Sequence, residues 1–323
     1  MTSPIQSPQE SAERSDGTAK PTPSDIEVRA GEHWKVGLTS AWRDFFPARS
    51  FESYEAFETL AGESIKQEFR TSVRLVEREA DGVRERFVLK VYLNPHVSGI
   101  LTCRSASMAE QEFRNLATCA ELDVKALEPV AFGERRGLGG MVKSCFVITR
   151  FVDNAMDVRG WMRERGEWWR EETAPLAEIL AELGVCLRRL HSSGFFLKTS
   201  NLRNILLHRS DVSGDVVKGK GASIELILLD LPEAGYVRAE RRARQSQMKD
   251  LGAISGPILR RAPAAFLDPF YQAYLPDPLG DSNEGLRSAA TRAAAIHNNT
   301  TPVSQFRRRL HRVWMALAKK VRP

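Results

Sequence analysis

The sequence predicts an α+β fold in two lobes, a small β-rich lobe carrying one main helix followed by a mostly helical lobe. Three observations predict it. Two β-patterned runs, RTSVRLVERE and RERFVLKVYL, flank an Asp81-Gly82 turn, and a single amphipathic helix with two further β runs comes after them. From Asp153 onward the apolar periodicity is helical, broken only by two short β runs. No stretch repeats at a fixed period, which excludes a solenoid or propeller.

With 323 residues, 42% hydrophobic and 27% charged, the chain has enough apolar material for a sizeable core, so disorder throughout is excluded. The net charge of +6, from 47 Lys+Arg against 41 Asp+Glu, favours phosphates or an anionic membrane surface. It does not make a nucleic-acid binder, and none is expected. Cys103, Cys119, Cys145 and Cys186 are widely spaced with no C-x-x-C pair, so neither zinc nor a disulfide framework is predicted. The N-terminus lacks a signal peptide's charged and apolar regions, and no stretch approaches the roughly 18 apolar residues of a membrane span. A cytoplasmic location is expected.

Residues 1–30 are rich in Ser, Pro, Thr, Glu and Gly and cannot repay the entropy of ordering, so a disordered tail is expected there. The first lobe is placed at 31–152, opening with an aromatic segment, WRDFFPARSFESYEAF, whose purpose is not legible. After the hairpin, SASMAEQEFRNLATCAEL carries Ala106, Ala109, Phe113, Leu116 and Ala120 at helical spacing, with Ser105 or Ser107 as N-cap. Strands return at ALEPVAFGE and MVKSCFVITRFV, joined by the RRGLGG turn. The second lobe is placed at 153–280: VRGWMRERGEWW, then APLAEILAELGVCLRRLHSSG ended by Gly194, the β runs NILLH and IELILLDL, and helices at 246–259 and about 264–274. A polar linker at 281–304 and a basic amphipathic helix at 305–321 complete the chain.

Four residues in one order carry the chemistry: Lys90 in a β run, Glu112 in the next helix, Asn204 before an apolar strand and Asp230 ending a second one. Phosphoryl transfer needs this set. A strand Lys neutralises nucleotide phosphates and is held by a helix Glu, while an Asp and an Asn hold Mg²⁺ against the phosphate chain. Singly, each is an ordinary surface, turn or cap residue; the order and intervals carry the signal. His191 reads as structural, packing beneath the loop that follows it.

The stretches FVLKVYL, AEQEFRNLATCAELDVKALEPVAFGE, LRRLHSSGFFLKTSNLRNILL and LILLDLPEAG, spanning roughly residues 65–275, resemble the lipopolysaccharide kinase (Kdo/WaaP) family, small-molecule kinases with a protein-kinase-like fold. The resemblance implies a Lys90–Glu112 ion pair on the phosphates of ATP, Mg²⁺ on Asn204 and Asp230, and an adenine hinge at 150–153 with Arg150, Phe151 and Val152 against the nucleotide. It also implies an acceptor sugar or glycolipid of the lipopolysaccharide inner core, such as Kdo or heptose, at the cytoplasmic membrane face.

Two departures qualify the resemblance. The family's loop resembles H-x-D-L-N-x-x-N, and the matching stretch here runs Leu197-Lys198-Thr199-Ser200-Asn201-Leu202-Arg203-Asn204, so Thr199 stands where the catalytic aspartate is expected and Leu197 where the histidine is. Threonine has no titrating carboxylate, and a missing general base costs on the order of 10²–10⁴-fold in rate. The alternative reading is therefore a pseudokinase, a nucleotide-binding or regulatory module; Lys198 is a candidate to stabilise the transferring phosphate. The second departure is the phosphate-covering loop. Between Arg70 and Lys90 the only glycine is Gly82, in the turn, and Gly137-Leu138-Gly139-Gly140 falls after the helix, which leaves Arg70, Thr71 and Ser72 as candidate phosphate contacts.

Only 15 residues separate Asp230 from the expected helix at Ser246, and no A-P-E element is present, which favours a small or glycolipid acceptor over a protein. Arg238, Arg241, Arg242 and Arg244 in that interval suit an acidic phosphosugar. In QFRRRLHRVWMALAKKVRP, Phe306, Leu310, Val313, Trp314, Leu317 and Val321 share one helical face, opposite a set of Arg and Lys with no acidic residue. Such a helix either lies on anionic lipid, making the protein membrane-peripheral, or packs on the second lobe.

Overall fold

Two β-rich runs along 71–93 with an Asp-Gly pair between them make a hairpin, and in the computed structural model β4 (Thr71–Ala80) and β5 (Val83–Leu93) pair without a break from Thr71↔Tyr92 to Ala80↔Val83. Asp81 and Gly82 both take positive φ, 50° and 76°, the turn whose twist matches the strands. The structure describes residues 26–46, 52–68, 71–93, 105–164, 173–198, 201–209, 224–260 and 262–275. The expected linker at 281–304 and helix at 305–321 lie outside the described residues.

The hairpin belongs to a seven-stranded antiparallel sheet ordered β1-β2-β6-β7-β5-β4-β3, with β1 Ile26–Ala30, β2 Trp34–Thr39, β3 Glu63–Gln67, β6 Pro129–Arg136 and β7 Val142–Arg150. The tail boundary at residue 30 is thereby corrected: β1 begins at Ile26. IEVRA has too little apolar surface to announce a strand, and pairing with β2 from Ile26↔Thr39 to Ala30↔Lys35 holds it at the sheet edge.

The aromatic segment gains its purpose here. Trp42, Phe46, Tyr54 and Phe57, from a 3-10 turn at Ser40–Phe45 and the short helix α1 (Tyr54–Glu58), cover the outer face of the sheet, where Phe87, Leu89, Phe146 and Ile148 are fully buried beneath them. Phe57 stacks on Phe146 at 5.3 Å and Trp42 meets Phe87 edge-on at 5.4 Å. The inner face packs against α2 (Met108–Glu121), with Phe113 against Phe132 and Val147. Ser107 is the N-cap, its Oγ accepting the Glu110 N–H at 3.2 Å.

The second lobe holds β8 (Ala155–Asp157), α3 (Val158–Glu164), α4 (Thr173–Ser192), β9 (Phe195–Phe196), β10 (Ile205–Arg209), β11 (Ile224–Leu228), β12 (Gly235–Tyr236), α5 (Glu240–Leu259) and α6 (Asp268–Tyr274). Its core is one cluster built on Leu176, Ile179, Leu183, Leu187 and Leu190 of α4, against Leu251 and Ile254 of α5 and Phe270 and Tyr274 of α6. Gly194, at φ 75°, ends the α4 region as expected. One expectation is corrected: α5 starts at Glu240, not Ser246. Its first turns are polar and exposed, so no apolar periodicity marks them, and Arg241, Arg242 and Arg244 stand on the helix instead of in a loop.

Candidate active site

The register of the sheet sets what faces the gap between the lobes. Residues directly opposite one another in an antiparallel pair share a face, so Val73, Lys90 and Val147 form one row and Leu75, Val88 and Thr149 the next. Val73, Leu75 and Val88 are half-buried and belong to none of the three hydrophobic cores. Across the gap the same is true of Leu206 on β10, whose neighbours Ile205 and Leu207 point down into the second-lobe core. Apolar side chains held by both lobes yet packed into neither are candidates to line a slot for a flat apolar ring.

Beside that slot Lys90 gathers the ionic residues. Its ammonium donates to Glu112 Oε1 and Oε2 at 3.1 and 3.0 Å and to Asp230 Oδ1. Burial alone would lower the Lys90 pKa; the Glu112 and Asp230 charges outweigh it and raise the value above 10.5, so the ammonium stays charged. Glu112 is 3% exposed. Desolvation pushes its carboxyl up, against the pull of Lys90 and of the Tyr92 hydroxyl, which donates to Oε2.

Asp230 sits at φ 59°, a left-handed conformation that Asp tolerates better than most side chains. Its other oxygen, Oδ2, accepts from Asn204 Nδ2 at 3.3 Å. Asn204 ends a 3-10 turn at Leu202–Asn204 that Asn201 closes twice, its side chain accepting the Arg203 N–H and its carbonyl the Asn204 N–H. The Leu229 N–H donates to the Asn204 carbonyl, which ties the two loops together. Asn115 on α2 donates to the carbonyls of Leu231 and Ala234 at 2.7 and 3.0 Å, so the helix that carries Glu112 also holds the segment after Asp230.

The predicted set Lys90, Glu112, Asn204 and Asp230 thus converges on one point, from four elements. His191 lies beneath the loop as expected: it stacks on Phe196 at 4.9 Å, and its ring nitrogens meet the Tyr274 hydroxyl and Asp250 at 2.8 and 3.2 Å. Thr199 and Ser200 lie outside the described residues. Lys198, at φ 62°, points its ammonium toward Gly235. Arg150, Phe151 and Val152 form the connection between lobes, bordering a cavity of about 590 Å³ that Ala117, Ala120 and Ile227 also line. Arg150 is held by Glu85 at 3.0 and 3.2 Å, and Arg86 stacks over Phe151 and pairs with Asp153.

The covering hairpin is β3 with β4, closed by the Glu68 N–H on the Thr71 carbonyl at 2.8 Å. Arg70 lies outside the described residues; Thr71 and Ser72 open β4. Gly139, at φ 73°, belongs to the turn between β6 and β7 and has no part in the site. Burial pushes the Cys119 and Cys145 thiols up to about 12, and Cys119, Cys145 and Cys186 are free and buried, ordinary core residues. Sequence reasoning missed Tyr92, Asn115, Asp250 and the four apolar slot residues. Only Tyr92 and Val88 left a signal, as the positions two residues either side of Lys90 on the same face of β5.

The donor set fits a hard divalent cation held with phosphate. The Asp230 side chain keeps 38% exposure, and Asn204 brings a side-chain amide beside its Oδ2. One carboxylate and one amide oxygen, completed by phosphate oxygens and water, is how Mg²⁺ is bound in nucleotide sites.

Among curated protein sequences none matches the chain. Among solved structures, WaaP in complex with acyl carrier protein is similar at a TM-score of 0.54 and 20% identity, over 75% of this chain and 91% of that one. The Rio2 kinase of Chaetomium thermophilum follows at 0.44 and 17%, covering 72% and 70%, and the PknI kinase domain of Mycobacterium tuberculosis at 0.39 and 16%, covering 73% and 98%. The WaaP likeness shows a protein-kinase-like fold. The model of the lipopolysaccharide kinase (Kdo/WaaP) family matches residues 100–265, just over half of the sequence and all of the site from Glu112 to Asp230. The chain belongs to the lipopolysaccharide kinase (Kdo/WaaP) family.

Proposed function

We propose that the chain transfers the γ-phosphoryl group of ATP, with Mg²⁺, to a hydroxyl of an inner-core lipopolysaccharide sugar such as Kdo or heptose. The observation that carries this is the single ammonium of Lys90 shared between Glu112 and Asp230, with Asn204 on the remaining Asp230 oxygen. Lys90 is the cation for the nucleotide phosphates, and Glu112 holds it in place. Asp230 and Asn204 are the ligands for Mg²⁺, which neutralises charge on the phosphate chain when bound. Val73, Leu75 and Val88 from above and Leu206 from below sandwich the adenine, with the hinge at Arg150, Phe151 and Val152.

The family match favours a kinase over the pseudokinase module that Thr199 by itself would suggest. Phosphoryl transfer depends chiefly on positioning and charge stabilisation, so a chain lacking the carboxylate retains a route to turnover. Calorimetric titration with ATP, with and without Mg²⁺, beside a Lys90→Ala control tests the reading: binding that needs both supports it, and a folded protein indifferent to both overturns it.

A glycolipid acceptor places the reaction at the cytoplasmic face of a membrane. No helix among the described residues is long and apolar enough to cross one, and the one-sided cationic, apolar pattern of 305–321 supplies a peripheral contact. Removal of 305–323 is expected to abolish sedimentation with anionic liposomes; unchanged sedimentation would sink that part of the proposal.

A further inference from the structure

Tyr92 stands two residues beyond Lys90 on β5, so both side chains leave the same face of the strand. Its ring is 6% exposed and lies 4.8 Å from the Lys90 ammonium, while its hydroxyl donates to Glu112 Oε2, one of the two oxygens that Lys90 holds. Packing alone does not ask for the hydroxyl. The surrounding cluster of Ala109, Phe113, Phe132, Val142, Cys145 and Val147 is apolar, and a phenylalanine would fill the ring's place. Within that cluster the hydroxyl's recorded partner is Glu112, a carboxylate sealed from water that needs donors to remain ionised.

Without the hydroxyl, Lys90 would be the donor recorded on both Glu112 oxygens, and Lys90 is the group that must be partly released. When nucleotide phosphate arrives, the ammonium has to exchange its bond to Asp230 for a phosphate oxygen while its bond to Glu112 persists. A carboxylate anchored from a second side keeps its place during that exchange, and the ring face beside the ammonium offers a further attraction that does not depend on Asp230.

We propose that Tyr92 is a positioning residue for phosphate binding: its hydroxyl fixes the Glu112 carboxylate, and its ring supports the Lys90 ammonium in the place where phosphate meets it. This rests on the nucleotide-binding reading above and deepens it, since it assigns a residue that acts on the phosphates and leaves the adenine slot alone.

The test compares affinities for Mg²⁺-ATP and for adenosine, which lacks the phosphates, in wild type, Tyr92→Phe, Lys90→Ala and the double variant. Tyr92→Phe keeps the ring, and thermal unfolding checks that it folds. It is expected to lose about 10-fold in affinity for Mg²⁺-ATP, the scale of a hydrogen bond to a charged group, with adenosine affinity unchanged. In the Lys90→Ala background the same change should cost nothing more, because the residue acts through Lys90. Loss for both ligands alike, or equal loss in both backgrounds, would mark a structural role and overturn the inference. So would an ATP preference that depends on Lys90 and ignores Tyr92→Phe. A wild type that binds ATP no better than adenosine, with Lys90→Ala silent, removes the nucleotide reading itself and this inference with it.

Discussion

Asp250, fully buried on α5, accepts the Leu197 backbone N–H at 2.8 Å. The chain is therefore held at Leu197, seven residues before Asn204, by a carboxylate of the second-lobe core, which also meets His191 Nε2 at 3.2 Å. Leu197 is 2% exposed and occupies the position where the family has histidine; its side chain belongs to the core beneath. The imidazole of His191, one helix earlier, sits below the loop instead.

Asp250→Ala would leave the Leu197 N–H and a His191 ring nitrogen without that acceptor in a dry site. The cost expected for breaking such a buried polar cluster from one side is about 3 kcal/mol. Denaturant unfolding measures it, and a loss below about 1 kcal/mol would mean that the loop does not depend on this anchor.

Asn115 links two parts of the site that the chain separates widely. It is 7% exposed, and both of its recorded bonds go to carbonyls of the 231–234 segment. Asn115→Ala is expected to cost about 2 kcal/mol in stability, because the Ala234 carbonyl loses this donor and the Leu231 carbonyl keeps only the Ala234 N–H at 3.3 Å. Because Glu112 sits one turn earlier on the same helix, Mg²⁺-ATP affinity should fall as well, and amide exchange at 231–234 should quicken. Unchanged exchange there would show that the segment holds itself.

Local pattern revealed the hairpin, α2 and a serine cap at 105 or 107, of which the structure uses Ser107, because β-rich runs, helical spacing and a capping serine are written in adjacent residues. The order Lys90, Glu112, Asn204, Asp230 was legible for a related reason: each residue's spacing to its own strand or helix is short. What joins them was not. Asn115 and Asp250 act across 116 and 53 residues of chain, and nothing in EFRNLATC or MKDLGAI distinguishes a buried amide or carboxylate from a surface one. The aromatic segment at 42–57 announced burial but not its target, since covering an outer sheet face needs the sheet to be placed first. The α5 start was hidden because its first turns, ERRARQ, touch solvent and carry no apolar stripe.

Glu134 on β6 provides a pH signature separate from the active site. It is 3% exposed on its side chain, bonded by Arg136 Nε at 2.8 Å, with the Lys35 ammonium at 3.7 Å and the Ser107 N–H at 3.3 Å. Burial raises its carboxyl, but the Arg136 bond, the Lys35 and Arg136 charges and Ser107 together hold it below the usual 4.5. A carboxyl with a depressed folded-state pKa contributes stability that is complete above its unfolded value, declines below it and is lost once pH falls through the folded value. The stability gap between wild type and Glu134→Gln should therefore be widest near neutrality and shrink below about pH 4.5. A gap that stays constant from pH 7 to pH 3 would assign the effect of the substitution to packing alone.

Thr199→Asp tests the departure from the family pattern most directly. The substitution keeps Lys90, Glu112, Asn204 and Asp230, the residues proposed above for nucleotide phosphate and metal, and adds a carboxylate at the sequence position where the family's catalytic aspartate is expected. If the acceptor pocket is intact, transfer to an inner-core sugar should rise on the order of 10²-fold or more, the contribution of a positioned general base. Because the base acts in the chemical step, the gain should appear in kcat with KM for ATP little changed. A matching rise for water as acceptor, measured as ATP hydrolysis without sugar, would show that the new carboxylate works on any hydroxyl and that the acceptor is not held. No rise in either reaction, with Mg²⁺-ATP binding intact, would favour the nucleotide-binding module that Thr199 by itself suggests.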